Sequence, residues 1–548
     1  MGFPRVFILR EKIKHFIDWA AEAKFRRSDL WLLVPYWALV WFGIWHHEPW
    51  SDEALPWMIA RDSNLGEFLQ IIFGNWDRHP GLFHTLLLPL AKTGLPYFSQ
   101  SILNAVFTLV TAWLFLARAP FSRIFRSFFL FSYLMVYEYS VIVRPYMLAI
   151  MLLFLIADFY PKRTTKPILY ALLVSLLFQS DFICFGLGAG LLLAFAIEQR
   201  KRFRGDPRTL AALGLMVASG ALAFFIAHSL PANHAEAGHK LAFNAWYMVA
   251  PTINAFFPFF DIVPHSLPFV ILTAVVAFSV LVMAGIFLSG RFFPLLILVI
   301  SLAYLAFGFL FVQGGNYRHH GFILISLLFA LWISQNYPEK DGARFAFWGK
   351  PGSFWTKKAR SVAMILMTVF FVLQLQNVYF VYVLENYLPF SGAKQMAEAI
   401  KVLDETKHVF NQGFVIVAPR RVCVGLLPYL PGVKFWNPCT ESFARYYYPT
   451  KELGACDRED LGAAIEKTKE KFGDLRRILF LFQQPMPVAK DGEYEYRQVV
   501  AVDRRIFGYL NERFYLYLPL RLSGDQNSID KVRQKDPPDF PSKTDFKK

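Results

Sequence analysis

LWLLVPYWALVWFGIW, Leu30–Trp45, carries no charged residue over its whole length. A helix of that composition covers most of the roughly 30 Å of hydrocarbon in a bilayer. Upstream, residues 1–28 are basic: Arg5, Arg10, Lys12, Lys14, Lys24, Arg26 and Arg27 interleave with Phe7, Ile8, Ile13, Phe16, Ile17 and Trp19. That pattern predicts an amphipathic helix lying on the anionic cytoplasmic leaflet. No small-residue cleavage site follows the apolar run, which argues against a removable signal. With the positive flank inside, the run leaves the cytoplasm and residues 46–80 form a first outward loop.

The rest of the chain repeats this theme. Of 548 residues, 55% are hydrophobic, 18% aromatic and only 18% charged, where a soluble protein carries about 25% charged residues. Soluble enzyme, coiled coil, disordered chain and small disulfide scaffold are excluded as classes. The net charge of +16 does not indicate nucleic acid, because Lys and Arg gather in short clusters between apolar runs (ARAPFSRIFR, PKRTTK, QRKRFR), the positive-inside signature.

Those clusters order the spans. Gly81–Pro96 is short and interrupted by Pro89 and Lys92, so it is read as re-entrant or interfacial, and Phe98–Leu116 as the true return span. Phe128–Val143, Tyr146–Tyr160, Ile168–Gln179, Ile183–Ile197 and Thr209–Leu230 then alternate in direction, and an outward loop of roughly 35 residues follows. Leu267–Leu288, Pro294–Val312, Phe322–Ile333 and Val362–Val383 complete the set. The expected architecture is a polytopic α-helical membrane protein of about eleven spans, with thirteen the alternative count, its transmembrane part covering residues 29–384.

After about Glu385 the composition becomes that of a soluble domain. Val415–Ala418 and Ile478–Phe482 read as buried strands, and Ala393–Leu403 and Asp460–Phe472 as helices, giving an α/β domain over residues 385–522 on the outward side. Residues 523–548 read as a disordered tail. Cys423, Cys439 and Cys456 fit one disulfide with one thiol left over in an oxidising space, if the cell is Gram-negative, and Cys184 is packing.

Polar residues near hydrocarbon are expensive, so their placement is informative. On this topology every histidine except His15 lies outward or at an outer helix end, together with Asp52, Glu53, Asp77, Arg78, Glu138, Arg144, Asp181 and Arg318. The middles of the spans are nearly free of charge, which suits a pocket open to the outer face and not an ion pathway. The bland alternative is that outward loops are longer and polar for solubility.

Three motifs follow one another on this frame: WSDEALPWMIAR (Trp50–Arg61), IIFGNWDRHPGLFH (Ile71–His84) and YEYSVIVRPYMLAI (Tyr137–Ile150). In order and spacing they resemble the GT-C superfamily of polyprenyl-phosphate-sugar-dependent glycosyltransferases, which includes protein O-mannosyltransferases and the aminoarabinose transferase of lipid A. The family's Asp-Glu pair corresponds to Asp52 and Glu53, its His-Pro-Pro-Leu-Tyr element to His79–Phe83, and its Arg-Pro-Tyr element to Arg144–Tyr146. The resemblance covers about the first 160 residues. NYRHHG before a late span and LPFSGAKQMAEAI (Leu388–Ile400) are similar to features of bacterial members. Gly81 and Phe83 depart from the second motif, and Ile142 stands where many relatives carry Glu, leaving Glu138 as the nearest acid.

The resemblance implies a sugar donor on a polyprenyl phosphate, presented from the bilayer of the bacterial inner membrane, and a glycolipid, polysaccharide or protein acceptor at the periplasmic face. Transfer needs a base beside the acceptor and fixed positive charge for the departing phosphate. Asp52 is the candidate general base for a single inverting displacement, with Glu53 orienting the loop or capping its helix. Arg144 and Arg318 are the candidate phosphate ligands, assisted by His79, His319 and His320, with Tyr146 and Glu138 completing the substrate site. Arg144 snorkelling to headgroups, Asp52 serving only as a helix cap, and an interfacial His319–His320 pair are the structural alternatives. No HExxH or Cys/His ligand set occurs, and relatives divide over a divalent ion, so no metal and no other cofactor is expected. The competing functions are a lipid-linked glycan transporter or flippase and a catalytically inactive envelope-assembly subunit.

Overall fold

The computed structural model describes residues 22–522 apart from 75–76, 78, 230–245, 259–265, 313, 338–353, 419–421, 423, 445–460, 487–489, 504–505 and 509–511. Most of the expected N-terminal amphipathic helix, most of the long outward loop, Cys423, Cys456 and the tail at 523–548 lie outside the described residues. The chain divides into two compact units: Met1–His47 with Ser63–Tyr387, and Glu48–Asp62 with Leu388–Lys548. The first outward loop, read above as one piece, is thus divided at Asp62 between a helical unit and a sheet unit.

Among the described residues of the helical unit, six helices are long and apolar enough to cross a membrane: Ser99–Arg118, Phe182–Gln199, Pro207–His228, Leu267–Leu288, Phe292–Val312 and Lys358–Tyr387. In three of them, Pro207–His228, Leu267–Leu288 and Phe292–Val312, only 22%, 22% and 28% of the most apolar 18-residue stretch is buried, so much apolar surface stays exposed. The other expected spans are shorter helices. Tyr146–Phe159 and Tyr317–Ile333 are apolar nearly all round and almost wholly buried, which is how a helix at the centre of a bundle reads. Leu82–Lys92 has only 11 residues, too few to span, in keeping with the re-entrant reading of that stretch.

One expected span is corrected. Phe128–Val143 is not a continuous helix: Arg123–Leu130 is α-helical, a π turn occupies Leu134–Glu138, and irregular backbone runs to Tyr146. Carbonyls freed by such a break must find donors inside the protein. The Tyr36 hydroxyl donates to Met135 O (2.9 Å), the Tyr382 hydroxyl to Val136 O (3.1 Å), and Asn104 Nδ2 to Tyr139 O (3.0 Å) and Ser140 O (2.9 Å). The periodicity of the apolar run could not reveal this, because the donors stand on other helices. Gly321 allows the close approach, since a Cβ there would overlap the Tyr139 hydroxyl.

Two further differences concern charge and loops. Arg123 and Arg126 of the basic linker are buried, with Arg123 Nε 2.7 Å from Asp29 Oδ1 and Arg126 Nη2 3.8 Å from Asp29 Oδ2; their charge is matched within the protein and is not presented to headgroups. Within the expected outward loop, Trp246–Phe256 forms a helix. It is tied down by Gln374 Nε2 on Phe256 O (2.5 Å), while Asn377 Nδ2 holds Pro258 O (2.8 Å).

The sheet unit is α/β. Its strands are β1 (Val415–Val417), β2 (Phe435–Asn437), β3 (Ser442–Ala444), β4 (Ile478–Phe482), β5 (Tyr494–Val502) and β6 (Phe514–Arg521), in the order β3-β2-β1-β4-β6-β5. β1 pairs in parallel with β2 and β4, and the remaining pairs are antiparallel. β4, ILFLF, is buried at every position, as a central strand covered on both faces must be. Val417, Trp436, Phe480, Phe482 and Tyr517 form the core with Ala464 and Ile465 of the helix Leu461–Phe472. The helix Ala393–Lys407 begins where the sequence placed it and runs on past the expected end at Leu403. Cys439 is disulfide-bonded and Cys184 is a buried free thiol.

Candidate functional site

In the helical unit, polar side chains gather where four helices begin. Asp77 and His79 precede Leu82–Lys92, Arg144 precedes Tyr146–Phe159, Asp181 caps the turn that opens Phe182–Gln199, and Arg318 and His319 lie in the first turn of Tyr317–Ile333. The cap is explicit: Ile183 N donates to Asp181 Oδ1 at 2.9 Å. Short polar residues at helix starts satisfy backbone N–H groups that have no partner within the helix.

These ends meet. His79 stands between Arg144 Nη2, at its Nε2, and Asp181 Oδ2, which is 3.0 Å from its Nδ1. A guanidinium cannot accept, so Nε2 accepts and the ring proton sits on Nδ1, which lies close to Asp181 Oδ2 without hydrogen-bonding geometry. His84 Nε2 lies 3.0 Å from Asp77 Oδ2. Burial alone would raise the Asp77 carboxyl, but the hydrogen bond from His84 and the charge of Arg144 hold it down at about 2. It is therefore ionised at any physiological pH.

The second half of the cluster centres on Tyr146. Asn316 N–H donates to His319 Nδ1 (3.1 Å), which leaves the ring proton on Nε2, 3.0 Å from the Tyr146 hydroxyl oxygen. The Arg318 guanidinium lies 5.8 Å over the Tyr146 ring, and the Arg318 carbonyl accepts from the Tyr139 hydroxyl at 2.9 Å. Arg144 and Arg318 are both buried, so neither snorkels. His320 turns elsewhere, with Nε2 on Gly314 O (2.8 Å) and Nδ1 3.3 Å from Asn254; the two adjacent histidines do not act as a pair. Glu138, at the end of the π turn, is buried and accepts from the Tyr133 hydroxyl at 2.7 Å.

The structure thus brings His79, Arg144, Tyr146, Arg318 and His319 into one cluster and adds Asp77, His84 and Asp181. The sequence marks Asp77 and Asp181 only as outward polar residues and His84 as one histidine among many. Their partners lie in other segments, so no local spacing exposes the pairing. Four helix N-termini and two guanidiniums around one buried locus make a setting suited to an anion. Among the described residues no group of three or more His, Cys, Asp or Glu side chains could hold a metal ion.

Asp52 and Glu53 belong to the sheet unit, on the helix Ser51–Asp62. They differ sharply. Glu53 is fully buried and turns back to accept from Trp50 N at 3.3 Å, the half capping box that its position in the first turn allows. Asp52 is the second residue of the helix and is half-buried. Glu53 thus caps the helix, and Asp52 has the more open position of the two. Compared with known proteins, the chain matches no family model, no curated protein and no solved structure.

Proposed function

We propose that this chain is an integral-membrane glycosyltransferase that moves a sugar from a polyprenyl-phosphate donor to an envelope acceptor, a glycolipid, polysaccharide or protein, at the periplasmic face of the bacterial inner membrane. The observation that carries the reading is the gathering of Arg144, Arg318, His79 and Tyr146 at four helix starts in a unit with lipid-facing helices. His79, Arg144 and Tyr146 stand in the motifs that carry the resemblance, and Arg318 is the second candidate phosphate ligand.

In the proposed reaction the acceptor O–H or N–H loses its proton to Asp52 as the acceptor atom attacks the anomeric carbon. The bond from that carbon to the phosphate oxygen breaks on the opposite face, which inverts the configuration. Negative charge grows on the departing polyprenyl phosphate, where Arg144 and Arg318 offer several donors in a fixed fork. His79, which accepts from Arg144 Nη2, keeps that guanidinium in place. A base of this kind contributes about 10²–10⁴-fold.

The transporter reading draws on a different observation, the discontinuous segment Arg123–Tyr146, since broken helices line the pathways of many transporters. Here the freed carbonyls are taken up by Tyr36, Asn104 and Tyr382, which favours a structural break. The deciding experiment compares wild type with Asp52→Asn in a deletion strain, reading glycolipid, polysaccharide and glycoprotein sugars by mass spectrometry. Loss of a glycan that only wild type restores supports transfer; full restoration by the variant removes Asp52 as base. For Arg144→Ala the expected result is a raised donor KM, and an unchanged one removes the phosphate role.

A further inference from the structure

The helix that carries Asp52 begins on a residue from the far end of the chain. Ser51 N–H donates to Glu512 Oε1 at 3.1 Å across 461 positions of sequence. The other carboxylate oxygen of Glu512 accepts from the Ser391 hydroxyl at 2.6 Å, and the Glu512 carbonyl accepts from Gly392 N–H at 3.1 Å. Ser391 Oγ in turn accepts from Ala393 N–H at 3.1 Å, at the start of the helix Ala393–Lys407. One buried side chain, 2% exposed, therefore joins the starts of two helices. The fit is close: a Cβ on Gly425 would stand 3.1 Å from Ala393 Cβ and 3.8 Å from Glu512 Oε2.

We propose that Glu512 is a positioning residue for the sugar-transfer reaction, holding the first turn of the Ser51–Asp62 helix so that Asp52 is presented in one fixed orientation. This rests on the reading of Asp52 as the base. The first-turn N–H groups of a helix have no partner within it. Here Glu53 takes that of Trp50 and Glu512 takes that of Ser51, so the turn bearing Asp52 is held by two carboxylates, one local and one distant. The Glu512 carboxyl lies above the ordinary glutamate range, because burial raises it and the nearby charge of Asp52 adds to the effect. Among the described residues the hydrogen bonds to the Glu512 carboxylate come from neutral donors, and a buried carboxylate so served and placed near another is costly for stability alone. Its place is explained by what it orients. On this proposal the sheet unit builds the turn that carries the base.

The test uses the full-length protein in lipid nanodiscs and the deletion strain. Amide hydrogen exchange is followed in peptides spanning residues 49–58, undecaprenyl phosphate is the binding probe, and glycan recovery reports function. For Glu512→Ala, exchange at Ser51 and its neighbours should rise and glycan recovery should fall about a hundredfold, the loss expected from a base displaced by about 1 Å. Binding of undecaprenyl phosphate should stay within about twofold, since a positioning defect at the base leaves phosphate contacts intact. Glu512→Gln keeps an acceptor for Ser51 N–H and a donor for Ser391 Oγ, and should restore both exchange protection and glycan. Ser391→Ala, which loosens Glu512 without removing it, should give an intermediate loss and serves if the alanine variant does not fold.

Wild-type exchange and wild-type glycan in Glu512→Ala would overturn the proposal, as would a glutamine variant no better than alanine. The two layers separate cleanly. A fully active Asp52→Asn removes the sugar-transfer reading while the exchange measurement still tests the hold of Glu512 on the helix. An inactive Asp52→Asn beside a wild-type Glu512→Ala removes only the positioning role.

Discussion

Asp77 and Glu512 are both buried carboxylates, one in the helical unit and one in the sheet unit, and their surroundings push them in opposite directions. Asp77 has His84 at 3.0 Å and the Arg144 charge nearby, and it is held at about 2. Glu512 has a backbone N–H, a serine hydroxyl and the like charge of Asp52, and it is raised above 4.5. Burial opposes ionisation in both. The difference lies in whether the partners carry opposite charge, and it separates a site built to hold charge from a joint built to hold geometry.

The comparison makes graded predictions. The largest effect is expected for Asp77→Ala, which strands buried positive charge and should lower stability by about 3–5 kcal/mol in thermal unfolding of the purified protein. A loss below about 1 kcal/mol, the level of exposed pairs, would show that Asp77 is solvated. Next comes Glu53→Ala, which removes a helix-start acceptor and should cost about 1 kcal/mol, as capping residues do. Smallest is Glu512→Gln, which should change stability at neutral pH by less than about 1 kcal/mol and in the stabilising direction, because a buried charge near the like charge of Asp52 is removed.

Acid titration sharpens the same contrast. Asp77 is depressed from 3.8 to about 2, so its folded state binds fewer protons; its contribution is complete above 3.8 and disappears as pH falls through about 2. Glu512 is raised, so its contribution is complete below 4.5 and is lost as pH rises through its folded value. Unfolding midpoints of wild type, Asp77→Asn and Glu512→Gln measured between pH 2 and 7 should therefore converge at the acid end for the first variant, and should separate with rising pH for the second. Parallel curves for either would refute the assignment.

Local pattern carried much of the fold. The charge-free runs produced long helices at Ser99–Arg118, Pro207–His228 and Leu267–Leu288, and the apolar run Ile478–Phe482 became β4 at the same residues. Strands β5 and β6 were not legible for opposite reasons. β5 opens with charged and polar residues between its tyrosines and keeps only the short apolar run Val499–Val502, whereas β6 contains Pro519, which argues against a paired strand. The broken segment at Leu134–Glu138 was hidden because Tyr36, Asn104 and Tyr382, which make it tolerable, are far away in sequence.

The sequence by itself determined that the chain is built of membrane-length apolar helices followed by an α/β domain, because hydrophobic length and periodicity act locally and survive in one dimension. It also singled out His79, Arg144, Tyr146 and Arg318 as chemistry-bearing positions. Only the tertiary structure decided that Asp181 faces His79, that Asp77 pairs with His84, and that Glu512 seats the helix of Asp52. Each of those depends on a buried polar group finding a partner at one point in space, and separation along the chain places no limit on which residue that partner is.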